Sequence, residues 1–320
     1  MPGTFSTADF LGLRWQEYEG NPLIEPPGFS PVVADPTFLF PHESPDGRYH
    51  LFAHALRGIY HYTSQDGAGW ENQGRVCGNA MRPFVRKFGE AYYLFYESIR
   101  PFAMYLGWAP YRWRSFIACR RSMDLKHWEK PCVALKPTLA WHSHPDYGVS
   151  IGNPCVVRVD SGFRLYYSAG LVRLEDCGFN EPQFIGVAQA DQIEGPYEAL
   201  PEPLLAPDAG SRWRNLASGS IKVLATDDGF VAMQNGIYID PETKHSGSAI
   251  LRLHSDDGLT WRYADEEPVL KPGPGWTRSH VYAFDVRPEL DRSRWRLYFN
   301  ARDDWHWSKG RERIGLLLGR

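Results

Sequence analysis

Ser255-Asp-Asp-Gly-Leu-Thr-Trp261 has two relatives in the same chain, Ser64-Gln-Asp-Gly-Ala-Gly-Trp70 and Ser122-Met-Asp-Leu-Lys-His-Trp128. Each reads as a tight turn that feeds a strand. Asp-Gly supplies the positive φ such a turn needs, Ser and Asp side chains bond back to the local backbone, and Trp opens the next strand. Upstream stand β-rich runs of alternating aromatics: Tyr49-His-Leu-Phe-Ala53, Ala91-Tyr-Tyr-Leu-Phe-Tyr96, Phe163-Arg-Leu-Tyr-Tyr167, Phe230-Val-Ala-Met-Gln234 and Trp295-Arg-Leu-Tyr-Phe299. Further upstream, across short Gly- or Asp-containing hairpins, lies a second set: Pro36–Phe40, Pro83–Arg86, Pro154–Arg158, Ser220–Leu224 and Val281–Asp285.

The repeating unit is therefore strand, hairpin, strand, loop, strand, turn, Trp strand. It occurs five times, with first-strand landmarks at Asp35, Arg82, Asn153, Ser220 and His280. The third copy is looser, Ala190-Asp-Gln-Ile-Glu-Gly-Pro-Tyr197 standing in for the turn. A repeated four-stranded antiparallel unit predicts an all-β fold, a five-bladed β-propeller. A two-sheet sandwich would not place the same turn at the same point of each unit, and runs of helical period are absent. The last copy lacks its fourth strand. Leu13-Arg-Trp-Gln-Glu-Tyr-Glu-Gly-Asn-Pro-Leu-Ile-Glu-Pro26 matches Leu259-Thr-Trp-Arg-Tyr-Ala-Asp-Glu-Glu-Pro-Val-Leu-Lys-Pro272. The N-terminal segment (residues 1–30) is thus expected to close the ring beside Arg313–Leu318, making residues 1–320 one propeller domain without an open blade edge.

Bulk composition narrows the function classes. The chain is 43% hydrophobic and 23% charged, enough to bury a core and unlike a disordered chain. A net charge of −3 without a basic block argues against a nucleic-acid partner. No apolar run reaches membrane-spanning length, and the start carries no secretory signal. Five cysteines, an odd number without a C-x-x-C pair, read as free thiols of a reducing, cytoplasmic compartment. Aromatic residues at 14% fit both an all-β core and a site where sugar faces stack on rings.

In a propeller the starts of the innermost strands and the loops joining second to third strands share one face. That face collects Asp35, Arg82, Asn153, Ser218, Ser220 and His280 from strand starts, and His54, Glu97, Glu175, Asp176, Gln234, Asn235, Asp303 and Asp304 from the loops. The longest loop, Glu97 to Ser115, carries Tyr105, Trp108, Tyr111 and Trp113, and long loops on rigid scaffolds carry function.

This arrangement resembles the five-bladed propeller glycoside hydrolases, the superfamily of family 43 arabinanases and xylosidases and family 32 fructosidases. The sharpest match is Val33-Ala-Asp35-Pro-Thr-Phe, similar to the family's opening Ala-Asp-Pro. The resemblance implies a carbohydrate substrate and makes Asp35 the catalytic base. Pro272-Gly-Pro-Gly-Trp-Thr-Arg-Ser-His280 resembles the fifth-blade segment whose axial His helps hold a calcium or water, so a structural calcium near His280 is the one ion the resemblance raises. Two family carboxylates are missing. Asn153 stands where the acid-tuning Asp is expected, and Asn215-Leu-Ala-Ser-Gly-Ser220 offers no acid Glu. Glu194-Gly-Pro196 is not a substitute, because it occupies the turn on the opposite face.

Glycoside hydrolysis needs an acid for the leaving oxygen and a base or nucleophile across the ring. Glu97, ending a buried aromatic strand, is the first acid candidate and Asp303 the second; Asp146 is a candidate for the missing tuning carboxylate. Arg82, Asn153, Ser218, Ser220, His280, His54, Trp108 and Arg302 are the expected substrate-binding residues. The His142-x-His144 spacing fits several metals and none in particular, so no catalytic metal is expected. Arg82-Pro-Phe beside a Tyr-rich strand is also similar to the family 130 mannoside phosphorylases, whose basic residues bind phosphate. Three functions stay open: a glycosidase acting on a small or exposed linkage, a phosphorylase or transglycosylase on the same scaffold, and a non-catalytic carbohydrate-binding propeller.

Overall fold

The computed structural model describes residues 5–101, 103 and 112–320. Five four-stranded antiparallel blades form the ring expected from the repeat. The innermost strands are Ala34–Leu39, Ala80–Phe88, Ile151–Val159, Ile221–Ala225 and His280–Pro288 for blades 1 to 5. The second strands are Tyr49–Ala55, Ala91–Ile99, Gly162–Ala169, Phe230–Ile239 and Trp295–Arg302. The third are Gly58–Ser64, Trp113–Ser122, Phe184–Ala190, Ser246–Ser255 and Glu312–Gly319. Outer strands are shorter: Glu71–Cys77, Cys132–Leu135, Glu198–Ala199 and Arg262–Tyr263, with Trp15–Glu17 completing blade 5.

The N-terminal segment closes the ring beside the last strand, as expected. Trp15, Gln16 and Glu17 pair with Gly319, Leu318 and Leu317. The Tyr18 and Leu23 N–H groups then donate to the Leu316 and Ile314 carbonyls. A short helix, Thr7–Leu11, precedes this strand and is capped by Ser6, whose hydroxyl accepts from the Asp9 N–H. Phe5 and Phe10 pack edge-on against Trp295 at 4.7 and 5.3 Å, which fastens the N-terminal segment to blade 5.

The geometry explains the repeated turn. In all three copies the Ser hydroxyl and the Asp carboxylate accept from the turn's own N–H groups: Gly67 to Ser64 and Ala68 to Asp66, Leu125 to Ser122 and Lys126 to Asp124, Gly258 to Ser255 and Leu259 to Asp257. Each Trp then meets an aromatic ring on the second strand of the preceding blade: Trp70 on Tyr298, Trp128 on Phe52, Trp261 on Tyr166. Two of the glycines are required by the same contact. A Cβ at Gly67 or Gly258 would sit 2.8 or 2.7 Å from the hydroxyl of Tyr298 or Tyr166, and both glycines have left-handed φ. Those hydroxyls donate to the Gly67 and Gly258 carbonyls. The turn is an inter-blade clasp.

Hydrophobic cores lie between blades rather than on the axis. One spans blades 2 to 4, another joins blades 4 and 5 with the N-terminal helix. This is why second strands such as Ala91-Tyr-Tyr-Leu-Phe-Tyr-Glu-Ser-Ile99 are buried on both faces and run almost continuously apolar. The axis is polar, with one group from each innermost strand. Asp285 receives both Arg86 Nη atoms, at 2.8 and 2.6 Å, and the Thr37 hydroxyl at 3.0 Å. Lys222 Nζ donates to the Pro154 carbonyl at 3.0 Å. This buried layer plugs the channel beneath the candidate site.

Candidate functional site

A bulge opens the innermost strand of four blades, between Ala34 and Thr37, Met81 and Phe84, Gly152 and Cys155, and Val281 and Phe284. At the first three, a non-glycine residue takes left-handed backbone: Asp35 at φ 52°, Arg82 at 53° and Asn153 at 49°. Gly219, at φ 56°, precedes the innermost strand of blade 4. Such conformations cost about 1–3 kcal/mol each and cluster where function requires them. Asp35, Arg82, Asn153, Gly219 and Tyr282 all line one cavity of about 160 Å³ at the mouth of the channel.

Asp35 is held from two sides. Its Oδ2 lies 2.8 Å from His54 Nδ1. Its backbone N–H donates to Asn300 Oδ1 at 3.0 Å, Asn300 Nδ2 donates to Glu312 Oε2 at 3.1 Å, and Arg302 Nη1 donates to Glu312 Oε1 at 3.0 Å. Burial disfavours the Asp35 carboxylate. The hydrogen bond and charge of His54, with Arg82 and Lys222 nearby, outweigh that penalty and hold its pKa below the usual range.

Glu97 is fully buried behind Arg82. Its Oε2 accepts from Arg82 Nη1 at 2.8 Å, and its Oε1 accepts from Trp113 Nε1 at 2.8 Å and the Ser150 hydroxyl at 3.4 Å. A Cβ at Gly152 would fall 2.1 Å from Oε2, so the neighbouring strand comes this close only with glycine. Both oxygens of Glu97 are thus engaged by donors, and the side chain does not line the cavity.

The carboxyl that enters the cavity instead is Glu181. It ends a hairpin, Val172–Leu174 paired with Phe179–Glu181, inserted between the second and third strands of blade 3. Arg82 Nη2 stands 3.6 Å away, beyond hydrogen-bond reach. Burial pushes the Glu181 pKa up, Arg82 pulls it back, and the negative charges of Glu312, Asp35 and Glu97 push it further, to about 8. Three carboxyls line the cavity: Asp35, held below the usual range, Glu181, pushed up to about 8, and Glu312, which burial also pushes up but which Arg302 and Asn300 engage.

The other expected residues divide. His54, Asn153, Ser220 and Arg302 line the cavity with Asp35 and Arg82, and so does Asn235. Asp303 does not. It faces outward, accepting from the Arg311 N–H and from Arg313 Nη1, both at 2.7 Å. Asp146 is an exposed loop residue. Ser218 is buried beside the cavity, its carbonyl accepting from Gln234 Nε2. His280 stacks behind Tyr282 at 4.9 Å, so Tyr282 and not His280 lines the cavity in blade 5. Trp108 lies outside the described residues.

The surroundings of His280 do not fit calcium, which takes six to eight oxygen ligands. Its Nε2 faces the Ser246 hydroxyl at 3.2 Å and Cys177 Sγ at 3.8 Å, and both Asp176 oxygens are bonded to Ser246. Among the described residues no group of three or more His, Cys, Asp and Glu side chains is arranged to hold a metal. No helix among them is long and apolar enough to cross a membrane.

Sequence missed Glu181 and Tyr282. Nothing in the repeat announces the inserted hairpin. Tyr282 was within reach: Asp35, Arg82 and Asn153 each precede Pro, and extending that bulge register to blade 5 selects Tyr282.

Neither a known family model nor a curated protein sequence matches the chain. Solved structures do. A thermostable family-43 glycoside hydrolase is 17% identical, with a TM-score of 0.63 over 92% of this chain and 91% of that one. A glycosyl hydrolase from Bacteroides ovatus is 13% identical, TM-score 0.67, over 98% and 96%. A structure from work on family 130, described as mannoside phosphorylases containing glycoside hydrolases that target β-1,2 mannosidic linkages in Candida mannan, is 14% identical, TM-score 0.62, over 98% and 96%. Nearly end to end, the chain is similar to these glycoside-hydrolase propeller structures in its five-bladed fold.

Proposed function

We propose that this protein is a glycoside hydrolase in which Glu181 is the general acid and Asp35 the general base. The observation that carries this reading is that Asp35 and Glu181 line one cavity with proton affinities driven in opposite directions, while the third lining carboxyl, Glu312, is engaged by Arg302 and Asn300. Such a split assigns acid and base roles, because the acid must arrive protonated and the base ionised. Glu181 gives its proton to the glycosidic oxygen as the bond to the anomeric carbon breaks. Asp35 takes a proton from the water whose oxygen bonds to that carbon. His54 and the chain from Arg302 through Glu312 and Asn300 fix Asp35, while Glu97 fixes Arg82 beside Glu181. The fold neighbours named for glycoside hydrolysis support a carbohydrate-active enzyme in general.

Hydrolysis is favoured over phosphorolysis by charge. The two arginines lining the cavity are already matched, Arg82 by Glu97 and Arg302 by Glu312, so an incoming phosphate would meet no unmatched arginine there. A binding-only propeller is disfavoured because a half-buried Glu181 carboxyl whose nearest cation, Arg82, stands beyond hydrogen-bond reach costs stability unless it has a use. The test is turnover of a panel of aryl and natural glycosides, with and without phosphate, by the wild type, Asp35→Asn and Glu181→Gln. Phosphate-independent turnover lost in Asp35→Asn supports the reading. Wild-type rates in either variant would remove that residue from its role.

A further inference from the structure

The blade 3 hairpin does more than deliver Glu181. Its tip is tied to the loop between the second and third strands of blade 5, where the Trp307 N–H donates to the Cys177 carbonyl at 3.0 Å. Gly178 sits in left-handed backbone at this junction, and a Cβ there would lie 2.9 Å from the Trp307 ring. Both partners are anchored on blade 4, which lies between them. Asp176 accepts from the Ser246 N–H and hydroxyl at 2.7 and 2.8 Å, and Trp305 Nε1 donates to the Ser246 carbonyl at 2.8 Å while its ring stacks on His245. The result is a continuous arch from blade 3 over blade 4 to blade 5. It brings Phe179, Asn180, Glu181 and Trp307 into the cavity wall.

Inside the arch, three buried polar atoms lack a protein partner among the described residues: Ser220 Oγ, Tyr282 Oη and Asn180 Oδ1. Ser220 is 3% and Tyr282 7% exposed, and all three residues line the cavity. A buried hydroxyl or amide without a partner is costly, so such a group is explained when a ligand completes it. Phe179 and Trp113 add apolar ring surface to the same walls. The volume, about 160 Å³, is that of a cavity that holds one six-membered ring.

We propose that the arch makes this site a pocket for one uncharged sugar ring, so that the enzyme removes single terminal units from neutral glycosides and does not cut within a chain; this rests on the glycosidase reading above. Ser220, Tyr282 and Asn180 bind the ring's hydroxyls. A uronate or phosphate group is excluded because the lining arginines are already matched and Asp35 is ionised.

Two measurements on the wild-type protein test this. The first is calorimetric titration with free glucose, mannose, galactose, xylose and arabinose, with glucuronate, galacturonate and inorganic phosphate as the anionic probes. At least one neutral sugar is expected to bind, with Ser220→Ala and Tyr282→Phe each weakening it about 5- to 10-fold. Binding of an anion in preference to every neutral sugar, or unchanged affinity in both variants, overturns the pocket assignment. The second is product analysis on oligosaccharides of the preferred sugar. Release of the monosaccharide alone is expected from the first turnovers, and early internal fragments would overturn the arch's role. Titration with free sugars involves no bond cleavage, so it stands or falls independently of whether Asp35 and Glu181 are the acting pair.

Discussion

The two faces of the propeller use repetition in opposite ways. On the clasp face, blades 1, 2 and 4 repeat side chains: the same Ser, the same Asp and the same Trp make the same contacts with the preceding blade. On the channel face, blades repeat backbone and vary side chains. Equivalent bulges present Asp35, Arg82 and Asn153 in nearly the same left-handed conformation, with Tyr282 at the blade 5 bulge. The first kind of repetition secures packing, since every blade must solve the same interface. The second places different chemistries around one axis. Strain is accepted on the channel face, whereas two of the three clasp turns give their left-handed position to glycine.

Substitutions on the two faces should therefore separate stability from activity. The largest effect should come from removing the ring closure. Deleting residues 1–25 exposes the Glu312–Gly319 edge and strips Phe5 and Phe10 from Trp295, so no soluble, folded protein is expected. A soluble variant with wild-type circular dichroism would show that the closure is dispensable.

Next is Asp35→Asn. The amide keeps the shape of the carboxylate but is too weakly basic to take a proton, so turnover should fall by about 10³-fold while the melting temperature holds. Gly258→Ala is its mirror on the clasp face. Crowding against Tyr166 and the strained φ should cost about 1–3 kcal/mol of stability, read by denaturant unfolding, and leave kcat unchanged. If the clasp variant lost activity without losing stability, the division between the faces would fail.

A smaller, more discriminating effect concerns Glu97. As a positioning residue that orients Arg82, its change to Gln should reduce rates about 10-fold equally for natural glycosides and for aryl glycosides with acidic phenol leaving groups. Selective sparing of the aryl substrates would restore Glu97 as the acid, because a lost proton donor matters least when the leaving group is already good.

Most of the fold was legible because its determinants are local. Turn chemistry, alternating aromatics and the match between Leu13–Pro26 and Leu259–Pro272 each lie within one short window. Asp35, Arg82 and Asn153 were legible for the same reason, each standing directly before a proline at the bulge of an innermost strand. Glu181 was not. It sits in an insertion outside the repeat, and its proton affinity is set by burial and by charges from blades 1, 2 and 5. Glu97 looked like an acid because it ends a buried aromatic strand, but sequence could not show that Arg82, Trp113 and Ser150 converge on it.

Glu181 also leaves a mark on stability. Its folded pKa of about 8 lies above the ordinary carboxylate value, so the folded state binds the extra proton. That contribution is complete below the unfolded pKa and is lost as pH rises through about 8. Glu181→Gln should match the wild type in melting temperature near pH 5 and exceed it near pH 9. The opposite ordering at pH 9 would mean that the carboxylate is stabilised in the fold.

The pH dependence of kcat/KM, compared between the wild type and Glu181→Gln on one aryl glycoside whose weakly acidic leaving group needs protonation, addresses the assignment of acid and base directly. A general acid must be protonated, so the wild-type rate should fall as pH rises through about 8, while Asp35 sets a limb on the acid side below the usual carboxylate range. In Glu181→Gln the basic limb should vanish and the residual rate should stay flat to higher pH. A basic limb that persists unchanged in Glu181→Gln would contradict the account.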